Sequence, residues 1–319
     1  MEEFVVQTEE EVKADLSDRR TFIGGSDAPV IIGLSNWKSP YELFMEKTGQ
    51  ALPPDLSEIE RIQWGNLLED VVAREFSRRL ELKVQRVNQR QISKKHSWMV
   101  AQIDRRILGI DAVLEVKTTD AAMGPQWGSE ETEEIPPVYY TQVQHQLMVM
   151  GKDLAYVAVL IGGNKMRVYN IKRNEEFIDA LEKAEIVFWD QVQHLTPPDP
   201  ITPDEASLRW SRTKEAPVEG TPIHGALAAE YLALNDQMKE LEKKQDSIKL
   251  ALQEVLQDIG DTLMVNGKAV ASWKNQITNR IDTTALKAEM PEIAQRFTKA
   301  NESRRFLALK AAAEFRVTV

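Results

Sequence analysis

The chain has 319 residues, 42% hydrophobic and 28% charged, a globular composition with enough apolar material for a sizeable core. No apolar run approaches the roughly 20 residues that span a bilayer, and the acidic start MEEFVVQTEEEVKADLSDRR lacks the features of a secretory signal, so no membrane association and a cytoplasmic location are expected. The absence of cysteine excludes disulfides and thiolate metal sites; a formal net charge of −10 argues against coating nucleic acid by bulk electrostatics but leaves room for a local basic groove.

Up to about residue 195, helical and strand-like segments alternate. SPYELFMEKTG sets Leu43, Phe44 and Met45 behind a Ser-Pro start and stops at Gly49, the pattern of a short helix. In SEIERIQWGNLLEDVVAREFSRRLEL, the spacing of Ile62, Leu67, Leu68, Val71, Val72 and Phe76 predicts a long helix with Glu69 among apolar neighbours. Strands are expected in KVQRVNQRQI, SWMVAQID, AVLEVKT, LAYVAVLIGG and KMRVYNIK, with a hairpin at Gly162-Gly163-Asn164. Helices return in TQVQHQLMVMG and NEEFIDALEKAEIVFWDQVQHL. These elements predict an α/β fold, a mixed sheet flanked by helices, over residues 1–198.

Residues 199–224 are rich in proline and turn formers and read as a linker or surface arm. From residue 225 to 319 the expectation is a heptad helix followed by a small α/β region. Leu227, Tyr231, Leu234, Met238, Leu241, Ile248, Leu252, Val255 and Ile259 alternate four-three, interrupted by Gln245 and ended by Gly260, which suits a core or dimer seam. Asn266-Gly267 between two alternating runs predicts a hairpin.

The strand AVLEVKT carries Glu115 and Lys117 two residues apart, hence on one face. Ionised groups taken out of water cost several kcal/mol each, on the order of a whole domain's stability for a few of them, unless they are paired or hold an ion. A strand-end salt bridge is the simple explanation. Asp104 upstream, before a turn around Gly109, adds a second carboxylate on the neighbouring strand. Two such carboxylates repel each other and suit a hard divalent cation such as Mg²⁺, and a lysine on the same face can stabilise a hydroxide nucleophile and the charge developing on a scissile phosphate.

Four blocks then carry a family resemblance: DRRTFIGGSDAPVIIGLSNWKSPYELFMEKTG, WGNLLEDVVAREF, QIDRRILGIDAVLEVK and PPVYYTQVQHQLMVMG, in that order. Over roughly residues 17 to 195 the chain resembles the YqaJ-like viral recombinase family, in the lambda-exonuclease branch of the PD-(D/E)XK nucleases. The resemblance implies a PD-(D/E)XK nuclease core and a deoxyribonuclease that uses Mg²⁺, with Mn²⁺ as a substitute, to digest one strand of double-stranded DNA from a 5′ end by metal-activated water. It further implies a bacterial-host cytoplasmic location, a single-strand annealing protein as partner in phage or prophage recombination, and a homotrimeric ring around DNA.

Carried over by position, Asp104, Glu115 and Glu69 match the metal-holding acids, Lys117 the catalytic lysine, and Gln142 the glutamine that orients that lysine or the phosphate. Arg19 and Ser26 match the pair that holds a 5′ phosphate, with Arg20 as competitor. Arg105 departs from the glycine that many relatives carry after the aspartate, and Asp111 is a second acid near Glu115; Asp104 is preferred because it ends an apolar strand. Each accessory residue also has a plain structural explanation: Ser26 as a helix cap, which is compatible with phosphate binding, the arginines as surface charge, and Gln142 as a helix hydrogen-bonder. A structure- or sequence-selective endonuclease of the same fold is the alternative activity, and a catalytically idle recombination scaffold a further one. The lack of cysteine excludes the iron–sulfur branch of these nucleases.

Overall fold

The computed structural model describes residues 19–130, 132–212, 216–299 and 306–315. They divide into two units, Met1–Glu205 and Ala206–Val319. The first is built on a five-stranded mixed sheet in the order β2 (Val84–Arg86), β5 (Arg105–Ile107), β6 (Ala112–Thr119), β7 (Leu154–Ile161), β8 (Lys165–Lys172). Strand β6 runs parallel to β7 through eight paired residues, and the other neighbours are antiparallel. A parallel pair needs a crossover, supplied here by helix α4 (Pro137–Met150), whereas β7 and β8 form the expected hairpin with Ile161 opposite Lys165.

Both faces of the sheet are covered, which is why AVLEVKTT is almost continuously buried rather than alternating. On one face Val113, Val157, Val159, Tyr169 and Ile171 pack with Val143 and Leu147 of α4. On the other, Leu114, Val116 and Ala158 pack with Val72, Ala73 and Phe76 of helix α3 (Glu60–Leu80). Alternation along β6 therefore turns Glu115 toward the α4 face and its neighbours toward α3.

A smaller sheet, in the order β1 (Ile23–Gly24), β4 (Met99–Ala101), β3 (Gln91–Ile92), lies in the same unit. Its Ile23 joins Val30 of α1 (Ala28–Ile31), Leu43 and Phe44 of α2 (Pro40–Lys47), and Phe188 and Val192 of α5 (Glu175–Gln193) in a second cluster. Helix α2 begins with a full capping box, Ser39 with Glu42, as the Ser-Pro start suggested.

Several local expectations change. The run KVQRVNQRQI is not one strand: it splits into β2 and β3, which belong to different sheets. The turn around Gly109 is present, at φ +85°, but an unexpected strand, β5, precedes it, held by pairing on both sides despite its three residues. In α3, Leu67 and Val71 are about half exposed, because only the Val72, Ala73 and Phe76 stripe meets the sheet. The proline-rich stretch includes helix α6 (Pro203–Arg209).

In the second unit, helix α7 (Pro222–Leu256) is followed by a hairpin of β9 (Thr262–Val265) and β10 (Lys268–Ser272), with Asn266-Gly267 at its turn. Helices α8 (Thr283–Glu289) and α9 (Pro291–Arg296) follow. The heptad residues Leu227, Leu234, Leu241, Ile248 and Val255 are 51–63% exposed, and Ile259 lies beyond the end of the helix. No helix among the described residues is long and apolar enough to cross a membrane.

Behind the first unit's sheet, His145 of α4 and Glu185 of α5 are fully buried together. The ring Nδ1 stands 2.8 Å from Glu185 Oε1 and Nε2 3.0 Å from the Val100 carbonyl, so both nitrogens face acceptors and the imidazolium satisfies them. Burial pulls the His145 pKa down, but Glu185, the Val100 carbonyl and the more distant Asp27 outweigh it, and the pKa is raised. A raised pKa contributes stability that is complete below the unfolded value of about 6.5 and is lost as pH climbs through the folded value. His145→Leu should therefore cost about 3–5 kcal/mol in urea denaturation at pH 6, the cost of leaving a buried partner uncompensated. At pH 9 the difference from wild type should be smaller; an equal difference at both pH values would contradict the imidazolium assignment.

Candidate active site

The register between β5 and β6 pairs Arg105 with Leu114, which sets Asp104 opposite Glu115. Asp104 is anchored where it stands, because the Val116 N–H donates to its Oδ2 at 2.7 Å. Glu115 is 3% exposed in the middle of the sheet. Its Oε1 accepts hydrogen bonds from Lys117 Nζ and Gln142 Nε2, each at 2.6 Å, and its Oε2 accepts one from Gln146 Nε2 at 2.8 Å. The carboxylate is therefore held on both oxygens. Gln142 meets Glu115 and shares that oxygen with the lysine, rather than contacting the lysine itself.

Gln146 is a site residue that the sequence did not single out. One turn along α4 from Gln142, it donates to both Glu115 and the Gln102 carbonyl. The available signal was spacing: two glutamines at i and i+4 lie on one helix face.

Asp104 carries the electrostatic signature of the site. Burial and then the Glu115 carboxylate push its pKa up to about 7, against the pull of Lys117 and the Val116 N–H, and Glu69 adds to the rise. Lys117 behaves oppositely. Burial alone would lower its pKa, but Glu115 and Asp104 more than offset this and raise it, so the ammonium stays charged. Its Nζ lies 5.3 Å from the centre of the Tyr139 ring.

Glu69, on α3, is drawn to Arg105, whose Nη1 donates to its Oε1 at 2.5 Å. Among the described residues no three acids or histidines form a ready-made metal cluster. The donor chemistry still fits a hard cation: carboxylates only, and two of them, Asp104 and Glu115, on neighbouring strands and near enough that Glu115 adds to the rise that burial causes in the Asp104 pKa. Asp111 is elsewhere, largely exposed in its turn and paired with Lys152.

Beside this cluster opens a cleft of about 1370 Å³, which reaches Thr118 and Tyr139 next to Lys117 and includes Arg19, Arg20 and Ser26. The segment bearing these three is fastened by Lys47, buried at the end of α2, whose Nζ donates to the Arg19 carbonyl (2.8 Å), the Phe22 carbonyl (2.6 Å) and Asp27 Oδ2 (2.7 Å). Ser26 does not cap a helix. The cap position of the four-residue α1 is Asp27, whose side chain instead accepts from the Gly24 N–H and Lys47. Gly25 lies so close to α4 that a Cβ there would stand 3.2 Å from Gln142 Cγ. Gly49, at φ +72°, similarly leaves room for the Arg20 guanidinium, and Arg20 Nε is buried with no hydrogen-bond partner among the described residues.

Known proteins share this chain's pattern. Residues 16–153 match the YqaJ-like viral recombinase domain. The uncharacterized protein YqaJ of Bacillus subtilis is 37% identical over 299 residues, 91% of this chain and 92% of that protein. The chain belongs to the YqaJ-like viral recombinase family. This family member is also similar to the alkaline exonuclease LHK-Exo of Laribacter hongkongensis (14% identity, 64% of this chain and 100% of that one, TM-score 0.46). A phage-related exonuclease of Haemophilus somnus is similar at 14% identity, over 55% of this chain and 94% of that one, with TM-score 0.42. LHK-Exo in complex with dAMP gives 14% identity, 58% and 94% coverage and TM-score 0.46.

Because Lys47 ties the Arg19–Asp27 segment to the fold through three bonds, Lys47→Met should destabilise this YqaJ-like domain by about 3–5 kcal/mol, leaving Asp27 without its buried partner. Urea denaturation measures the loss, and Lys47→Met with Asp27→Asn should recover part of it.

Proposed function

We propose that this chain is a Mg²⁺-dependent nuclease that hydrolyses DNA phosphodiesters, and specifically a 5′-to-3′ exonuclease on duplex DNA that leaves 3′ single strands for an annealing protein. The observation that carries the reading is the convergence of Asp104, Glu115 and Lys117 on two neighbouring strands beside a cleft lined with arginine. Asp104, Glu115 and Glu69 would hold the metal, which when bound supplies the Lewis-acid charge that phosphodiester hydrolysis needs. Gln142 and Gln146 hold Glu115 in one orientation, so its carboxylate is set before substrate arrives. Lys117, kept protonated by Glu115 and Asp104, presents a fixed positive charge for the negative charge that builds on the scissile phosphate. The polarity, the annealing partner, a trimeric ring and tolerance of Mn²⁺ are drawn from family membership.

Duplexes labelled at either end, incubated with and without Mg²⁺, test reaction, polarity and cofactor together. Comparable rates on covalently closed circles would favour the endonuclease reading. Lys117→Ala should lower the rate on linear duplex about 10²- to 10³-fold with folding intact, the usual loss for one transition-state electrostatic group. Unchanged turnover would remove Lys117 from the mechanism.

The cleft arginines address the end itself. A terminal phosphate carries more charge than an internal diester, and a held guanidinium distinguishes them. Arg20, half-buried and packed against Gly49, is the more confined of the two; Arg19 is exposed, and Ser26 offers a hydroxyl nearby. Wild type should digest 5′-phosphorylated duplex roughly 10- to 150-fold faster than 5′-hydroxyl duplex, from a charge-assisted bond of about 1.5–3 kcal/mol. Arg20→Ala should erase more of that ratio than Arg19→Ala. A ratio near one in wild type would rule out the phosphate anchor, and loss only in Arg19→Ala would transfer the role to Arg19.

A further inference from the structure

Arg105 is a buried charge that the reading above leaves without a task. Its side chain is 4% exposed, on the α3 face of the sheet, one residue from Asp104 and opposite Leu114. The guanidinium makes three contacts. Nη1 donates to Glu69 Oε1 at 2.5 Å and to the Asp104 carbonyl at 2.7 Å, and Nη2 donates to Asp70.

A single nitrogen thus bridges the helix acid to the main chain of the strand acid. Glu69 comes from α3 and Asp104 from the start of β5, so neither strand register nor the geometry of one helix holds the two acids together. A glutamate on a helix has three side-chain torsions to fix, which costs entropy at every binding event unless something holds it. Arg105 holds it through Oε1, and no hydrogen bond to Oε2 occurs among the described residues. The planar fork matters here, because its other arm is fastened to Asp70 while the first spans Glu69 and Asp104.

We propose that Arg105 is the positioning residue of the metal site: it orders Glu69 beside Asp104 so that the helix carboxylate is ready for a divalent cation. This rests on the nuclease reading above, since it assigns Glu69 to the metal. The role does not ask Arg105 to touch DNA or the reacting atoms.

The probe is Mn²⁺ itself, titrated into DNA-free protein and followed by the loss of the free-ion electron paramagnetic resonance signal. Four proteins are compared with wild type, each first checked for cooperative thermal unfolding: Arg105→Lys, Glu69→Gln, Arg105→Lys with Glu69→Gln, and Glu115→Ala. Arg105→Lys keeps the charge and loses the fork, and should raise the Mn²⁺ dissociation constant about 10-fold, in the range found when groups supporting metal ligands are removed. Because the effect runs through Glu69, the double variant should bind no more weakly than Glu69→Gln alone. Wild-type affinity in Arg105→Lys, or losses that add in the double variant, would overturn the inference. If Arg105→Lys does not fold, Asp70→Asn decides: it removes only the guanidinium's outer anchor, and an unchanged dissociation constant would overturn the proposal equally. Glu115→Ala separates the two levels. If it binds Mn²⁺ as wild type does, the metal site is misplaced and both readings fall; if it loses Mn²⁺ while Arg105→Lys does not, only the role of Arg105 falls.

Discussion

The carboxylate of Glu115, buried at the centre of a sheet covered on both faces, is the constraint that organises the first unit. A lone carboxylate in that position would cost more than the domain can bear, so its surroundings are committed to it. Gln142 and Gln146 place their amides on its two oxygens, which fixes the rotation of α4 about its own axis. Lys117 must be two residues on, on the same face, and Asp104 must be on the adjacent strand, anchored by the Val116 N–H. The same α4 then turns His145 backward into its own charge pair with Glu185. Polar residues of α4 therefore read as a run of glutamines and a histidine in an otherwise apolar helix: Gln142 and Gln146 serve Glu115, Gln144 donates to the Lys172 carbonyl, and His145 pairs with Glu185.

The two faces of the sheet divide the work. Asp104 and Glu115 share the face toward α4, while Arg105, one residue along, reaches the α3 face and meets Glu69 and Asp70. Strand alternation alone produces this division. It lets carboxylates of like charge approach from opposite sides with a cation on each side, Lys117 on one and Arg105 on the other, so that the acid cluster is tolerated in the folded chain.

Local signals in the sequence were enough for elements defined by their own ends. Ser39-Pro40 and Gly49 delimit α2, and Gly162-Gly163 makes the β7–β8 hairpin, because caps and turns are chemistry between near neighbours. The Glu115 and Lys117 pair was equally visible, since ionised groups within a β-branched run stand out. Strand β5 was not visible: three residues with two arginines have no periodicity, and they are a strand only because β2 and β6 flank them. Lys47 and Arg105 were missed as structural groups for the same reason. Their partners, main-chain carbonyls of residues 19 and 22 and carboxylates on α3, are brought to them by tertiary register. Leu67 and Val71 erred the other way, since helical spacing tells which residues share a stripe but not which stripe meets a sheet.

The closeness of Gly25 to Gln142 limits how this scaffold can be redesigned. The loop that carries the cleft arginines and the helix that steadies Glu115 meet with no side chain between them, so the two surfaces have one common boundary. Lengthening the loop or adding bulk near residue 25 would press on Gln142, whose amide steadies Glu115. A change in the cleft and a change at the Glu115 carboxylate would then arrive together in a single variant, and separating them would require remodelling α4 in the same design.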